Sequence, residues 1–253
     1  GSSADGVRKV RELGLQAMEV EFVRGVGMKN KTAQELGAVA KEEGIELSIH
    51  APYYVNLSSA EKLKVRQSMR RILDSCERGA RMGAKIVVFH PGYYGKLGKE
   101  ETFARILQAC QEMSDKLRSQ GWKILLGPEV TGKTFAFGTE DELLKLAGKV
   151  RQCAPVIDFA HLYARCQGKV DFGEVLGKFK GFKHLHSHFS GINYSRTGER
   201  NHLPILVRKP DYRPVAKEIL RRKIDITMIS ESPLIEGDAL AMKRIFEGLG
   251  HRW

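Results

Sequence analysis

Eight side chains in this sequence, His50, His90, Glu129, Asp158, His161, His186, His202 and Glu231, are imidazoles and carboxylates of the kind that hold divalent metals. Their placement is patterned. Val156-Ile157-Asp158-Phe159-Ala160-His161 is an apolar run that stops at an acid followed three residues later by a histidine. Five other apolar runs end the same way: Ser48 to His50, Ile86 to His90, Ile124 to Glu129, Phe182 to His188 and Ile224 to Glu231. At the end of one strand such a residue is most often a loop side chain or a satisfied core group. Repeated strand after strand, it implies a shared site. A zinc ion takes three or four protein ligands, so this many groups imply two or three ions, with a carboxylate shared between two of them.

The runs that end on these residues alternate with amphipathic stretches. The spacing predicts a helix to about Leu13 capped by Ser2 or Ser3, a strand from Leu15 to Phe22, and a helix from Thr32 to Glu43 stopped by Gly44. A strand at Leu47 to His50, a long helix from Ala60 to Met82, a strand at Ile86 to His90 and a helix from Glu100 to Ser119 follow. The rest reads as Lys123 to Glu129, helix Glu140 to Val150, Val156 to Asp158, helix Phe172 to Phe179, Phe182 to His188, helix Tyr212 to Arg222, Asp225 to Glu231 and a last helix Ala239 to Gly248. Strands alternating with helices, six of the seven strands ending on a ligand, describe an α/β class TIM (β/α)8 barrel with a site at its C-terminal mouth. The 253 residues suit a single domain spanning 1–253. Seven strands are legible, so the N-terminal first strand is expected to be missing from the sequence given, an open seven-strand barrel being the alternative.

Lys and Arg total 42 against 30 Asp and Glu, a formal charge of +12, which favours a polyanionic partner. No apolar run approaches the roughly 18 residues of a membrane span. No membrane partner, no signal peptide and a cytoplasmic location are expected. Cys76, Cys110, Cys153 and Cys166 have no Cys-x-x-Cys spacing and read as buried free thiols. There is no nucleophile elbow or phosphate-binding glycine loop to argue for other chemistry.

With these motifs in hand, the chain resembles the endonuclease IV family of apurinic/apyrimidinic endonucleases, especially archaeal-type members, from about Gly6 onward. The resemblance rests on Ser48-Ile49-His50-Ala51-Pro52-Tyr53-Tyr54-Val55-Asn56-Leu57, Phe89-His90-Pro91-Gly92, Glu129-Val130-Thr131-Gly132-Lys133, Ile157-Asp158-Phe159-Ala160-His161, His186-Ser187-His188-Phe189-Ser190 and Glu231-Ser232-Pro233. It implies a zinc enzyme, with manganese as an alternative ion, that cuts double-stranded DNA 5′ to abasic sites by means of a hydroxide bridging two ions, and acts as a monomer. It also implies ligand sets: His50, His90 and a bridging Glu129 for one ion; Glu129, Asp158, His186 and Glu231 for a second; His161 and His202 for a third. Tyr53 matches a tyrosine that enters the abasic gap, and Arg24, Lys133, Arg196 and Arg200 are candidates for phosphate contact.

The pattern is broken at one place. The family has an Asp two residues before the histidine matched by His202, and here that position is Arg200. A cation would repel the third ion unless the loop shifts register, with Glu199, His188 or water as replacements. His188 is otherwise expected to orient a ligand, and His184 to pack in the core. Two rivals remain. A sugar isomerase or epimerase on a related barrel would use Glu129, Asp158, His186 and Glu231 for one ion, leaving His50 and His90 without a task. A DNA-binding module without activity would bind abasic duplex and never cut it.

Overall fold

Short runs of Val, Ile, Leu and Phe that must be covered on both faces become parallel strands, and the amphipathic stretches between them become the covering helices. A computed structural model describes residues 1–253. The chain divides into two units: residues 1–129 with 135–155, and residues 130–134 with 156–253.

The first unit runs α1 (Ser3–Glu12), β1 (Ala17–Glu21), α2 (Asn30–Glu43), β2 (Glu46–His50), α3 (Lys62–Met82), β3 (Ile86–Phe89), β4 (Gly92–Tyr93), α4 (Lys99–Ser119), β5 (Leu125–Pro128), β6 (Ala136–Phe137) and α5 (Glu140–Ala147). Four strands form a parallel sheet in the order β1-β2-β3-β5. All four residues of β3 are buried. Helices start and stop on chemistry legible in the sequence: Ser2 and Asp5 form a capping box on α1, Thr139 and Glu142 another on α5, and Gly44 and Gly83 end α2 and α3 in the left-handed region at φ 68° and 75°.

Packing of α2 against α3 requires a glycine. A Cβ on Gly37 would lie 2.5 Å from the carbonyl oxygen of Met82 and 2.7 Å from its Cα, atoms that cannot rotate away. Gly37→Ala is therefore expected to lower stability by about 1–3 kcal/mol, the usual cost of overpacking, despite the better helix propensity of alanine. Urea unfolding measures it; an unchanged midpoint would refute the close approach.

The second unit runs β7 (Val156–Asp158), α6 (Phe159–Arg165), α7 (Phe172–Lys178), β8 (Leu185–Phe189), β9 (Gly191–Ser195), β10 (Gly198–Leu203), α8 (Tyr212–Arg222), β11 (Ile226–Ser230) and α9 (Glu236–Gly248). Its parallel sheet is ordered β11-β8-β7, with β8 central and buried along its length. β9 and β10 form an antiparallel hairpin with a register shift between Glu199 and Asn201.

The seven strands expected from the sequence are present within one or two residues at most ends. Three features were not legible. α6 begins on the residue after β7, leaving no loop to mark it. The hairpin strands, Gly-Ile-Asn-Tyr-Ser and Gly-Glu-Arg-Asn-His-Leu, carry too few apolar residues to signal strands. The pairing of β4 with β6 is only two residues long. Two expectations need correcting. Cys166 is exposed and Cys153 only partly buried, whereas Cys76 and Cys110 are buried and burial raises their thiols. His184 is not in the core: it is exposed before β8, with Nδ1 3.0 Å from Asp225 and Nε2 3.0 Å from the Thr227 hydroxyl.

Candidate metal centre

Each unit gathers its own ligand group. In the first, β2 ends on His50, His90 follows β3 and Glu129 follows β5, so neighbouring parallel strands bring all three together. Glu129 Oε2 lies 2.8 Å from His90 Nε2 and 3.5 Å from His50 Nε2. The two imidazole rings meet edge to face at 5.6 Å. Glu129 and His50 are buried and His90 partly so. His50 Nδ1 is 2.8 Å from the Ala51 carbonyl, which can only accept, so Nδ1 carries a proton and Nε2 is the nitrogen turned to Glu129.

In the second unit, Asp158 is the N-cap of α6. Its Oδ1 accepts from the His161 backbone N–H at 2.7 Å, and Oδ2 lies 3.2 Å from His161 Nδ1. The Val130 carbonyl is also 3.1 Å from that nitrogen, which places the proton on Nδ1 and turns Nε2 outward. Nε2 faces Glu199 Oε2 at 3.0 Å. His202 is 5.4 Å from His161 ring to ring; its Nδ1 is 2.7 Å from the Ser190 hydroxyl, and its Nε2 is 4.0 Å from Glu231 Oε2. Glu231 Oε1 in turn lies 3.1 Å from His188 Nδ1.

The donor sets fit divalent ions. In the trio His50, His90, Glu129 and in the trio His161, His202, Glu231, one ligand atom per residue lies within 4.8 Å of the others. An ion holding its ligands at about 2.0–2.3 Å would draw such atoms together through small side-chain rotations.

His188 stands beside Glu231. β8 pairs Asp158 with His188 and Val156 with His186, so His186 lies one pleat nearer the start of the strand on the same face, its ring 5.6 Å from that of His188. Arg200 does not take the place of the missing Asp. The shift in register between Glu199 and Asn201 leaves Arg200 exposed and turns Glu199 towards His161. The signal was present in the sequence as an acid one residue out of register, and only the bulge makes it count.

Glycine at 132 and 198 is part of this arrangement. A Cβ on Gly198, at φ 103°, would fall 2.0 Å from the Gly132 carbonyl oxygen, and one on Gly132 would meet the Glu199 carboxylate at 2.2 Å. Arg165, which sequence reasoning missed, ties the 130–134 segment down by donating to the carbonyls of Thr131 and Lys133 at 3.1 and 2.7 Å and to the Thr131 hydroxyl at 3.1 Å.

Among the residues expected to meet DNA, Tyr53 is exposed, its ring 5.0 Å from His50 and its backbone N–H donating to the Val23 carbonyl beside exposed Arg24. Lys133 Nζ is 3.7 Å from Glu199 Oε1. Arg196 is exposed in the turn of the β9–β10 hairpin.

A family model described as xylose isomerase-like TIM barrel matches residues 7–245. An uncharacterized protein of Methanocaldococcus jannaschii is 41% identical over 251 residues, covering 95% of this chain and 90% of that protein. A probable endonuclease 4 of Streptomyces avermitilis is 25% identical over 177 residues, covering 65% of this chain and only 56% of its own length. Among solved structures, a D-tagatose 3-epimerase-like protein aligns at a TM-score of 0.74 with 20% identity, covering 95% of this chain and 90% of that one. Endonuclease IV from Thermus thermophilus aligns at 0.70 with 22% identity, covering 97% and 93%. The shared fold is the TIM barrel, and no helix is long and apolar enough to cross a membrane.

Proposed function

This chain belongs to the xylose isomerase-like TIM barrel family, and on that premise we propose that it is a metal-dependent DNA repair endonuclease hydrolysing the phosphodiester 5′ to apurinic/apyrimidinic sites. The observation that carries the reading is that each unit has a ligand trio of its own, His50, His90, Glu129 and His161, His202, Glu231. A sugar epimerase working with one ion has no use for two trios. The relatives named endonuclease 4 and the charge of +12 add to it, since a polyphosphate substrate rewards a basic surface and a neutral sugar does not.

Zinc or manganese ions held there would polarise a phosphate oxygen and acidify water for attack on phosphorus. The chain's own residues would do the rest. His50 and His161, each with Nδ1 turned to a backbone carbonyl, present Nε2 to a ligand without rotating. Tyr53, exposed next to His50, supplies an aromatic face for the space left by a lost base. Arg24, Arg196 and Arg200 are exposed cations available to phosphates, and Lys133 can leave Glu199 for one. The reading takes residues 1–253 as one catalytic domain, acting as a monomer in the cytoplasm.

Elemental analysis of the purified protein beside a cleavage assay on duplex DNA with a single abasic site tests this. Two or more ions per chain are expected, with a cut on the 5′ side that a chelator abolishes and added zinc or manganese restores. One ion per chain with turnover of a ketose would replace this reading with the second, a sugar isomerase or epimerase, which the epimerase-like neighbours favour.

A further inference from the structure

Two apolar dipeptides stand out in the second unit. Leu206 and Val207 are 73% and 45% exposed, and Leu234 and Ile235 51% and 66%. Each pair follows a ligand residue closely, the first after His202 and the second after Glu231. Leaving four large aliphatic side chains in water is unfavourable by the area they expose, and a cluster of this kind on a soluble unit marks a contact surface.

The two pairs are held by one anchor. The buried carboxylate of Asp238, in the first turn of α9, accepts the Ile205 backbone N–H at 2.7 Å and also the Ser232 hydroxyl. That hydroxyl oxygen accepts the Leu234 N–H at 3.2 Å, and the Ser232 carbonyl accepts the Ile235 N–H at 3.0 Å. The backbone of Ile235 is forced into φ 44°, ψ −113°, a region that a β-branched residue enters only at a cost of about 1–3 kcal/mol. The fold therefore holds a large aliphatic side chain outward against both solvent and backbone preference.

Resting on the endonuclease reading, we infer that Leu206-Val207 and Leu234-Ile235 form a rigid apolar wedge that enters the base stack of duplex DNA beside the abasic site. Charge selects this occupant: Arg208 and Lys209, both exposed, directly follow the first pair and outnumber the single exposed acid, Glu236, that follows the second, and the chain as a whole carries +12. A stack already missing one base is cheaper to open than an intact one, so the wedge favours damaged duplex. The wedge distinguishes lesions, whereas the cations hold any DNA.

The test compares the metal-loaded wild type with L206S/V207S and L234S/I235S. The probes are an abasic-analogue duplex and the same duplex undamaged, each titrated at two salt concentrations. Both variants should bind the abasic duplex about tenfold more weakly, at the scale of one lost stacking contact. They should bind undamaged duplex within about twofold of wild type, with unchanged metal content and melting temperature as controls for folding. A wild type that cuts abasic DNA while both variants keep its preference for the lesion overturns the wedge and leaves the endonuclease reading standing. A wild type that never cuts overturns the reading itself. Sedimentation showing a wild-type dimer that the substitutions dissociate, with DNA binding unaltered, overturns the wedge in favour of a second copy of this chain.

Discussion

Glu129→Gln is expected to abolish incision of abasic duplex, a loss well beyond the ten- to hundredfold that follows when a group merely orienting a metal ligand is altered. The reason is geometric. One carboxylate oxygen, Oε2, lies 2.8 Å from His90 Nε2 and 3.5 Å from His50 Nε2, so the residue closes the trio and supplies its negative charge. Glutamine keeps the volume and can still accept and donate hydrogen bonds, which protects the packing around a fully buried position. It cannot balance a dication. The apo variant should therefore melt close to the apo wild type. The wild type should gain stability on adding zinc, by about 2.7 kcal/mol at a hundredfold excess over the dissociation constant, and the variant should gain less. Thermal unfolding with and without metal, run beside the cleavage assay, checks both parts. Wild-type turnover in the variant would remove Glu129 from the chemistry.

Glu199→Ala and Arg200→Ala should behave as opposites. Glu199 Oε2 stands 3.0 Å from His161 Nε2, whereas Arg200 lies exposed on the far side of the register shift. Removing the carboxylate should weaken the ion at the His161 and His202 group and lower incision by about ten- to hundredfold. Removing the arginine should leave metal content unchanged and alter affinity for DNA by a small, salt-dependent factor, with the slope against salt falling by about one. Metal content by elemental analysis separates the two. If Arg200→Ala were the variant that gained or lost an ion, the assignment through the bulge would be wrong.

The contrast between these two residues also shows where the sequence stops being readable. Strands such as Ile86 to Phe89 and caps such as Ser2 and Thr139 are local: a run of apolar residues or a hydroxyl three positions before an acid carries its own signal. The same is true of His50, His90 and Glu129, each at the end of such a strand. The sequence pattern could not set depth between His186 and His188, because period-two alternation places both on one face and depth is set only by pairing with β7 and β11. It was silent on Arg165, whose partners are carbonyls more than 30 residues away. Spacing counted by residue number put Arg200 where the resemblance calls for an acid and left Glu199 as one of three replacements, and the register shift in β10 is what turns Glu199 towards His161. Long-range hydrogen bonds and bulges leave no periodic trace.

The carboxylate of Asp158 starts α6 while touching the imidazole of His161 one turn along. A side chain committed to the first turn of a helix has already lost its rotational freedom when the chain folds. A cation held there would find that acid and that ring immobilised together and would owe less entropy for ordering them. Capture of such an ion would be tied to the integrity of seven helical residues, and fraying at their start would loosen it before any ligand had been changed.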